Sequence, residues 1–108
     1  MTTWRPASRS YVEDQLTSQL RELARHEREA FEAIGVPFRQ VRVADDRGQS
    51  VYVVAEHDGQ VVYWEDVEEG WNVSKLDWAG QIPSRGSEQD DLKALMYRLQ
   101  LVRLGDEK

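Results

Sequence analysis

The sequence predicts a small two-layer α+β domain: a helix, a four-stranded antiparallel meander and a second helix, with both helices on one face of the sheet. Two stretches in which apolar residues recur every three or four positions enclose a middle region in which they alternate every second position. Turn residues divide this middle region into four short segments. Two amphipathic helices and one sheet bury their apolar surfaces most simply when both helices pack on the same sheet face.

The first helix is predicted from Ser10 to the residue before Gly35. Ser10 and Glu13 form a capping-box pattern, in which the serine oxygen and the glutamate satisfy free backbone N–H groups. Gly35 and Pro37 should end the helix, through a left-handed cap and a residue that cannot continue it. The buried stripe consists of Val12, Leu16, Leu20, Leu23, Ala30, Phe31 and Ile34.

Four strands are predicted in VPFRQVRVA, SVYVVAEH, QVVYWED and WNVSKL. Asp58-Gly59 should form a two-residue type I′ turn, because both of its positions need positive φ. A three-residue loop at 46–48 and a four-residue loop at 67–70 should close the other two hairpins. With these three turns, Val41, Val43, Val51, Val53, Ala55, Val62, Trp64, Trp71 and Val73 all fall on one face, which we expect to be the core face.

A second helix is predicted after the LDWAGQIPSRG segment, with Ser87 as its N-cap and Gly105 after its end. Acidic residues in its first turn and Arg98 and Arg103 near its end suit the helix dipole. Gln81 and Ile82 could form a short additional edge strand. The buried stripe consists of Leu92, Leu95, Met96, Leu99 and Val102.

The 108 residues are enough for a single domain with its own core. We expect this domain to span residues 10–104, between a flexible N-terminal segment (1–9) and a flexible tail (105–108). The chain contains no cysteine, which excludes disulfides and thiolate metal sites and favours a reducing compartment. No apolar run is long enough for a signal peptide or a membrane span, so a cytoplasmic protein with no membrane association is expected.

The net charge of −6 is concentrated in one region. Residues 45–70 contain eight carboxylates and one arginine, a local charge of −7, so the other 82 residues sum to +1. Such a field repels phosphate groups and attracts basic surfaces. We therefore expect no nucleic-acid binding and a basic protein as the partner.

The sequence offers little support for catalysis or for a bound cofactor. His26 and His57 have no second histidine at ligand spacing, and the carboxylates of EDVEE lack the spacing of a calcium loop. No glycine-rich phosphate loop or nucleophile elbow is present. We expect a protein that is not an enzyme and that uses no catalytic residue, metal or cofactor, although whether residues 45–70 bind a cation stays open.

The sheet face away from the helices should be uncovered and should carry a cluster of aromatic residues, valines and acids. Clusters of this kind on an open sheet often mark an interface. We therefore predict a non-catalytic interaction domain that binds a basic protein or forms a homodimer. The candidate contact residues are Tyr52, Val54, Glu56, Val61, Tyr63 and Glu65, with Glu68 and Glu69 at the rim.

Two alternatives rest on resemblance. The element order and the acidity resemble the frataxin layout, in which an acidic ridge on the first helix and the neighbouring strand binds iron. In this chain the first helix interleaves its acids with Arg21, Arg25 and Arg28, so the resemblance covers topology alone and implies only an acidic metal-binding alternative. The small size and acidity are also similar to those of bacterial immunity proteins, which implies a toxin-neutralising inhibitor.

Overall fold

The computed structural model describes residues 8–44, 49–66 and 68–102, and it confirms the α+β class. The four strands form one antiparallel sheet in the order β1-β2-β3-β4. The predicted flexible residues 1–7 and 105–108 and the predicted loop at 46–48 lie outside the described residues. The elements are α1 (Arg9–Glu22), α2 (Arg25–Glu32), β1 (Gly35–Arg42), β2 (Ser50–His57), β3 (Gln60–Glu65), β4 (Gly70–Lys75) and α3 (Leu92–Arg98).

The predicted first helix is two helices, so the expectation of one continuous helix is wrong. The chain becomes extended at Leu23 and Ala24. The Glu27 carboxylate accepts the Ala24 N–H at 2.8 Å, and the Arg28 guanidinium donates to the carbonyls of Leu20 and Leu23 at 3.2 and 3.0 Å. Two side chains of α2 therefore satisfy backbone groups at the break that a continuous helix would have paired internally.

The ends of this helical region also differ from the prediction. Ser8, not Ser10, caps α1, and its hydroxyl accepts the Tyr11 N–H at 3.2 Å. Helix α2 ends at Ala33 in right-handed geometry, and Gly35 already belongs to β1. Ser8 and Arg9, which are predicted to belong to the flexible N-terminal segment, thus cap and begin this helix.

The turn between β2 and β3 has the predicted geometry, with φ of 52° at Asp58 and 77° at Gly59. The turn between β3 and β4 is one residue earlier than predicted, because Glu65 pairs with Gly70. Gly70 is the first residue of β4, and a Cβ there would lie 2.4 Å from the Gln89 Cα. Glycine is needed at this position for the close approach of another backbone segment.

A β-bulge in β2 overturns the expectation of a single core face. Ala55 lies opposite Val62 as predicted, but Val53 lies opposite Tyr63, so β2 contains one residue more than β3 between these pairs. Val54 and Ala55 consequently both join the helix-side core, whereas Val51 and Val53 join the opposite side. A bulge reverses the alternation of side chains beyond it.

The helix-side core holds both sheet tryptophans that are described, Trp64 and Trp71, with their rings edge-to-face at a centroid distance of 5.0 Å. Gln19 of α1 connects three elements, since its Oε1 accepts the Trp71 Nε1–H at 3.0 Å and the Leu92 N–H at 2.7 Å. Helix α3 begins after Asp91, not after Ser87. The other buried members of this core are Val12, Leu23, Phe31, Val54, Ala55, Val62, Leu92, Leu95, Met96 and Val102.

The opposite sheet face is covered by residues 76–91, which we call the strap. The strap pairs with both outer strands: Ile82 forms a parallel bridge with Val43 of the segment after β1, and Asp90 an antiparallel bridge with Trp71 of β4. Beneath it lies a second core of Val41, Val43, Val51, Val53, Val61, Tyr63 and Ile82. The expectation of an open sheet face is therefore wrong, because a segment that looks like a polar loop in the sequence crosses that face.

Candidate interaction surfaces

The eight candidate contact residues do not form one surface. Tyr52 is half-buried and Val54 is buried, and both pack on the helix side. Val61, Tyr63 and Glu65 are buried on the other face, under the strap. This division follows from the bulge, which places residues of β2 and β3 that were expected to be neighbours on opposite faces. Glu56 and Glu69 are exposed, and Glu68 is half-buried, as Tyr52 is.

The buried members of this set bind the strap. Glu65 is fully buried and pairs with the Arg85 guanidinium, which also contacts Asp66 at 3.1 Å. The Tyr63 hydroxyl accepts the Gly86 N–H at 2.8 Å. A Cβ at Gly86 would lie 2.1 Å from the Asn72 Oδ1, so the strap backbone touches the sheet directly there. These contacts give Tyr63 and Glu65 a structural role in this fold.

The three glutamates that are accessible to solvent lie at two ends of the sheet. Glu56 lies near the β2–β3 turn, and its carboxylate pairs with Arg39 at 2.7 Å. Glu68 and Glu69 lie at the β3–β4 turn, where the Glu68 Oε2 accepts from the Gln89 amide at 3.3 Å. Of the EDVEE carboxylates, Glu65 and Asp66 both contact Arg85, whereas Glu68 and Glu69 lie at the turn beside the end of the strap.

At the β3–β4 turn the fold brings carboxylates from two distant parts of the chain together. The backbone contacts of Gly70 with Gln89 and of Trp71 with Asp90 place the end of the strap against this turn. We call the resulting surface the acidic end and define it as Asp66, Glu68, Glu69, Glu88, Asp90 and Asp91.

Two arginines partly neutralise the acidic end. Arg85 contacts Asp66, and Arg98 contacts Glu88 at 3.1 Å and Asp90 at 2.8 Å. The hydrogen bond from Arg98 to Glu88 contributes most to raising the pKa of this guanidinium. Within the described ranges no basic side chain pairs with the remaining three acids, which are Glu68, Glu69 and Asp91.

Tyr11 of α1 borders the acidic end and is partly exposed, at 40%. Its ring lies edge-on to Trp64 at a centroid distance of 6.0 Å, and its hydroxyl donates to the Glu69 Oε1 at 3.4 Å. Desolvation raises the pKa of the Tyr11 hydroxyl above 10.0, and the neighbouring Glu69 charge adds to this effect. Tyr11 therefore stays neutral and donates a hydrogen bond to the acidic end at physiological pH.

Trp78 of the strap is the large apolar side chain with the greatest exposure in the described residues, at 98%. The loop that holds it is closed by hydrogen bonds: the Asp77 carboxylate accepts the N–H groups of Ala79 and Gln81 at 2.9 and 3.0 Å, and the Asp77 N–H donates to the Gln81 carbonyl at 2.8 Å. The sequence contains a signal for this arrangement, because Asp followed by Gly three residues later is typical of a turn that exposes the intervening residues.

A shallow groove of about 350 Å³ lies at the β2–β3 turn, close in the chain to Trp78. Residues 56–61 form one wall and Leu76, the first residue of the strap, forms the other. Leu76 and Val61 supply apolar surface, and Glu56 and Asp58 supply carboxylates. Trp78 follows Leu76 by two residues and does not line the groove.

The described residues contain no group of three or more acidic or histidine side chains placed to hold a metal ion. In the same part of the chain, no helix has the length and apolar character needed to cross a membrane. Comparison with known proteins gives no match to a protein-family model, a curated protein or a solved structure.

Proposed function

We propose that this protein is a non-catalytic interaction domain that binds a basic protein through the acidic end. The observation that carries the proposal is the convergence of carboxylates from two chain segments. Asp66 and Asp90 are largely buried against Arg85 and Arg98, and the acids that remain accessible at the surface are Glu68, Glu69, Glu88 and Asp91. A surface of one sign raises the rate at which an oppositely charged protein associates and disfavours partners of the same sign. The overall charge of −6 acts in the same direction.

The acidic end also has features that suit specific recognition. Hydrogen bonds orient three of its carboxylates. Gln89 donates to Glu68, and Tyr11 donates to Glu69. The Asp91 carboxylate accepts the Ala94 N–H at 2.8 Å as the cap of α3. Carboxylates that are already oriented lose less conformational entropy when arginine or lysine side chains bind them. The partly exposed ring of Tyr11 adds apolar contact area of the kind that is enriched in interfaces.

The test compares two variants with the same change in net charge. Glu68→Lys with Glu69→Lys reverses the acidic end, and Asp14→Lys with Glu32→Lys reverses two exposed acids on the helices. Wild-type protein and the helix control should capture the same basic protein from the native host, whereas the acidic-end variant should bind it at least about a hundredfold more weakly. Binding of the purified partner should weaken as salt rises.

Two results would contradict the proposal. One is equal loss of binding in both variants, which would mean that net charge alone matters. The other is capture of a partner that is not basic and whose affinity is independent of salt concentration.

A further inference from the structure

We propose that this chain forms a two-fold symmetric dimer in which Trp78 of each copy enters the groove beside the β2–β3 turn of the other copy. This proposal is independent of the proposed function, since it concerns the strap and the β2–β3 turn instead of the acidic end. It also replaces the sheet face expected to mediate self-association, which the strap covers.

The first step is the placement of Trp78 beside a groove that it does not occupy. Leu76 lines the groove, and two residues of chain span at most about 7 Å, so the base of the Trp78 side chain lies next to the groove. The indole is nevertheless 98% exposed. A projecting side chain and an empty groove on the same surface are self-complementary. Two-fold symmetry lets the side chain of each copy enter the groove of the other copy.

The second step is the fit between the indole and the groove. A volume of about 350 Å³ lies at the lower end of the range for small-ligand sites, about 300–1,000 Å³, and suits one aromatic ring. Leu76, which is half-buried, provides an apolar contact for the ring. Glu56 and Asp58 at the rim provide acceptors for the indole N–H, which usually finds a hydrogen-bond partner when buried.

The third step is local charge. Lys75 precedes Leu76 and Asp58 lies on the groove wall; both are exposed, and neither has an ion-pair partner among the described residues. When Trp78 of one copy occupies the groove of the other, the lysine beside it approaches the aspartate on the second copy. The two-fold axis forms this pair twice. The local contact is therefore complementary in charge, although the two copies carry the same overall charge.

The fourth step sets the expected strength. Each buried tryptophan removes about 150–250 Å² of its own surface from water, and the shallow groove contributes a smaller area. The two contacts together bury at most about 700 Å², below the roughly 1,200–2,000 Å² of a standard stable interface. We therefore expect a weak dimer, with a dissociation constant above about 10 μM. The charge of −6 on each copy should make the dimer stronger as salt screens the repulsion, opposite to the salt dependence of binding to a basic partner.

Sedimentation equilibrium from about 1 μM to about 1 mM protein tests the proposal in the full-length chain. Trp78→Ser should leave a monomer throughout, and Tyr11→Ser, which removes an exposed aromatic side chain of α1, should dimerise like wild type. Gln60→Trp, which places a ring in the groove from its own strand, should also give a monomer although Trp78 is intact. Circular dichroism should show that all three variants are folded.

Fluorescence provides an independent readout. In a Trp4→Phe background, Trp64 and Trp71 are buried, so Trp78 supplies the solvent-exposed emission. Its emission should shift to shorter wavelength and its quenching by acrylamide should fall as protein concentration rises, and Trp78→Ser should abolish both changes. The proposal is overturned if wild type stays monomeric to about 1 mM, or if Trp78→Ser or Gln60→Trp dimerises as wild type does. Loss of basic-partner binding with an intact dimer would refute only the proposed function.

Discussion

Replacing Arg85 with methionine should release the strap from the sheet. The Arg85 guanidinium pairs with the carboxylates of Glu65 and Asp66, and the Arg85 side chain is only 16% exposed. The two acidic side chains are 0% and 6% exposed. Removing the cation leaves two carboxylates in a region with little water to solvate them. Breaking a buried ion pair in this way costs about 3–5 kcal/mol. This is a large share of the roughly 5–15 kcal/mol by which domains are stable.

Urea unfolding followed by tryptophan fluorescence measures this loss. Arg39→Met is the matched control, because it breaks the pair with Glu56 in which both side chains are more than 40% exposed; its cost should be at most about 1 kcal/mol. Glu65→Met combined with Arg85→Met should be more stable than Arg85→Met alone, since an apolar pair of similar size can replace a buried ion pair. If Arg85→Met and Arg39→Met lose equal stability, the idea that this pair anchors the strap is refuted.

Three further predictions concern the contacts between elements. Gly70→Ala should cost about 1–3 kcal/mol, because the new Cβ would lie 2.4 Å from the Gln89 Cα and the strap would have to move. Gln19→Ala should cost about 2 kcal/mol or more, because it removes the acceptor for two N–H donors, one on β4 and one on α3; urea unfolding measures both. The pKa of the Tyr11 hydroxyl is raised in the folded protein. The contribution of the neutral hydroxyl to the free energy of unfolding should therefore be fully present below pH 10 and be lost as pH rises through the folded pKa. Absorbance titration should show the Tyr11 pKa moving partly back toward 10 in Glu69→Gln.

Each of these has a control. Gly35→Ala should be nearly neutral, since its nearest neighbours would lie at 3.8 Å, and equal losses at the two glycines would contradict the clash. Gln15→Ala, on the same helix, should cost less than Gln19→Ala. Tyr11→Phe should lack the stability change above pH 10, and an unchanged pH profile in this variant would show that other groups cause it.

The sequence predicted features that local chemistry determines. Asp58-Gly59 forms the expected turn because both residues tolerate positive φ, and no distant contact is needed. The helix break at Leu23 was missed because the apolar stripe continues through it. The sequence signal for this break is weak. It consists of Glu27, the third residue of α2, which accepts a backbone N–H at the break, and Arg28, which donates to a backbone carbonyl there.

The covered sheet face could not be predicted, because two long-range features determine it. In β2 the run Val51 to Ala55 is apolar apart from one tyrosine, so the alternation that would locate the bulge is hidden. The strap has the composition of a loop, and only its contacts across the sheet, such as Gly86 with Tyr63, determine where it lies. These two features separate the candidate contact residues, whereas three acids of the region 45–70, Asp66, Glu68 and Glu69, lie together in the acidic end.

The strap also hinders the pairing of strands from other molecules with the two edges of the sheet. Unpaired N–H and C=O groups on outer strands are templates for aggregation. At one end of the sheet the strap occupies such groups on both sides: Ile82 exchanges hydrogen bonds with the chain around Val43, and Asp90 accepts from Trp71. At the other end, Pro37 on β1 and the exposed Lys75 on β4 discourage strand pairing. The strap thus closes both edges at one end of the sheet, and Pro37 and Lys75 act at the other end. Copies of this chain that associate should therefore do so through side chains and stop at a defined size.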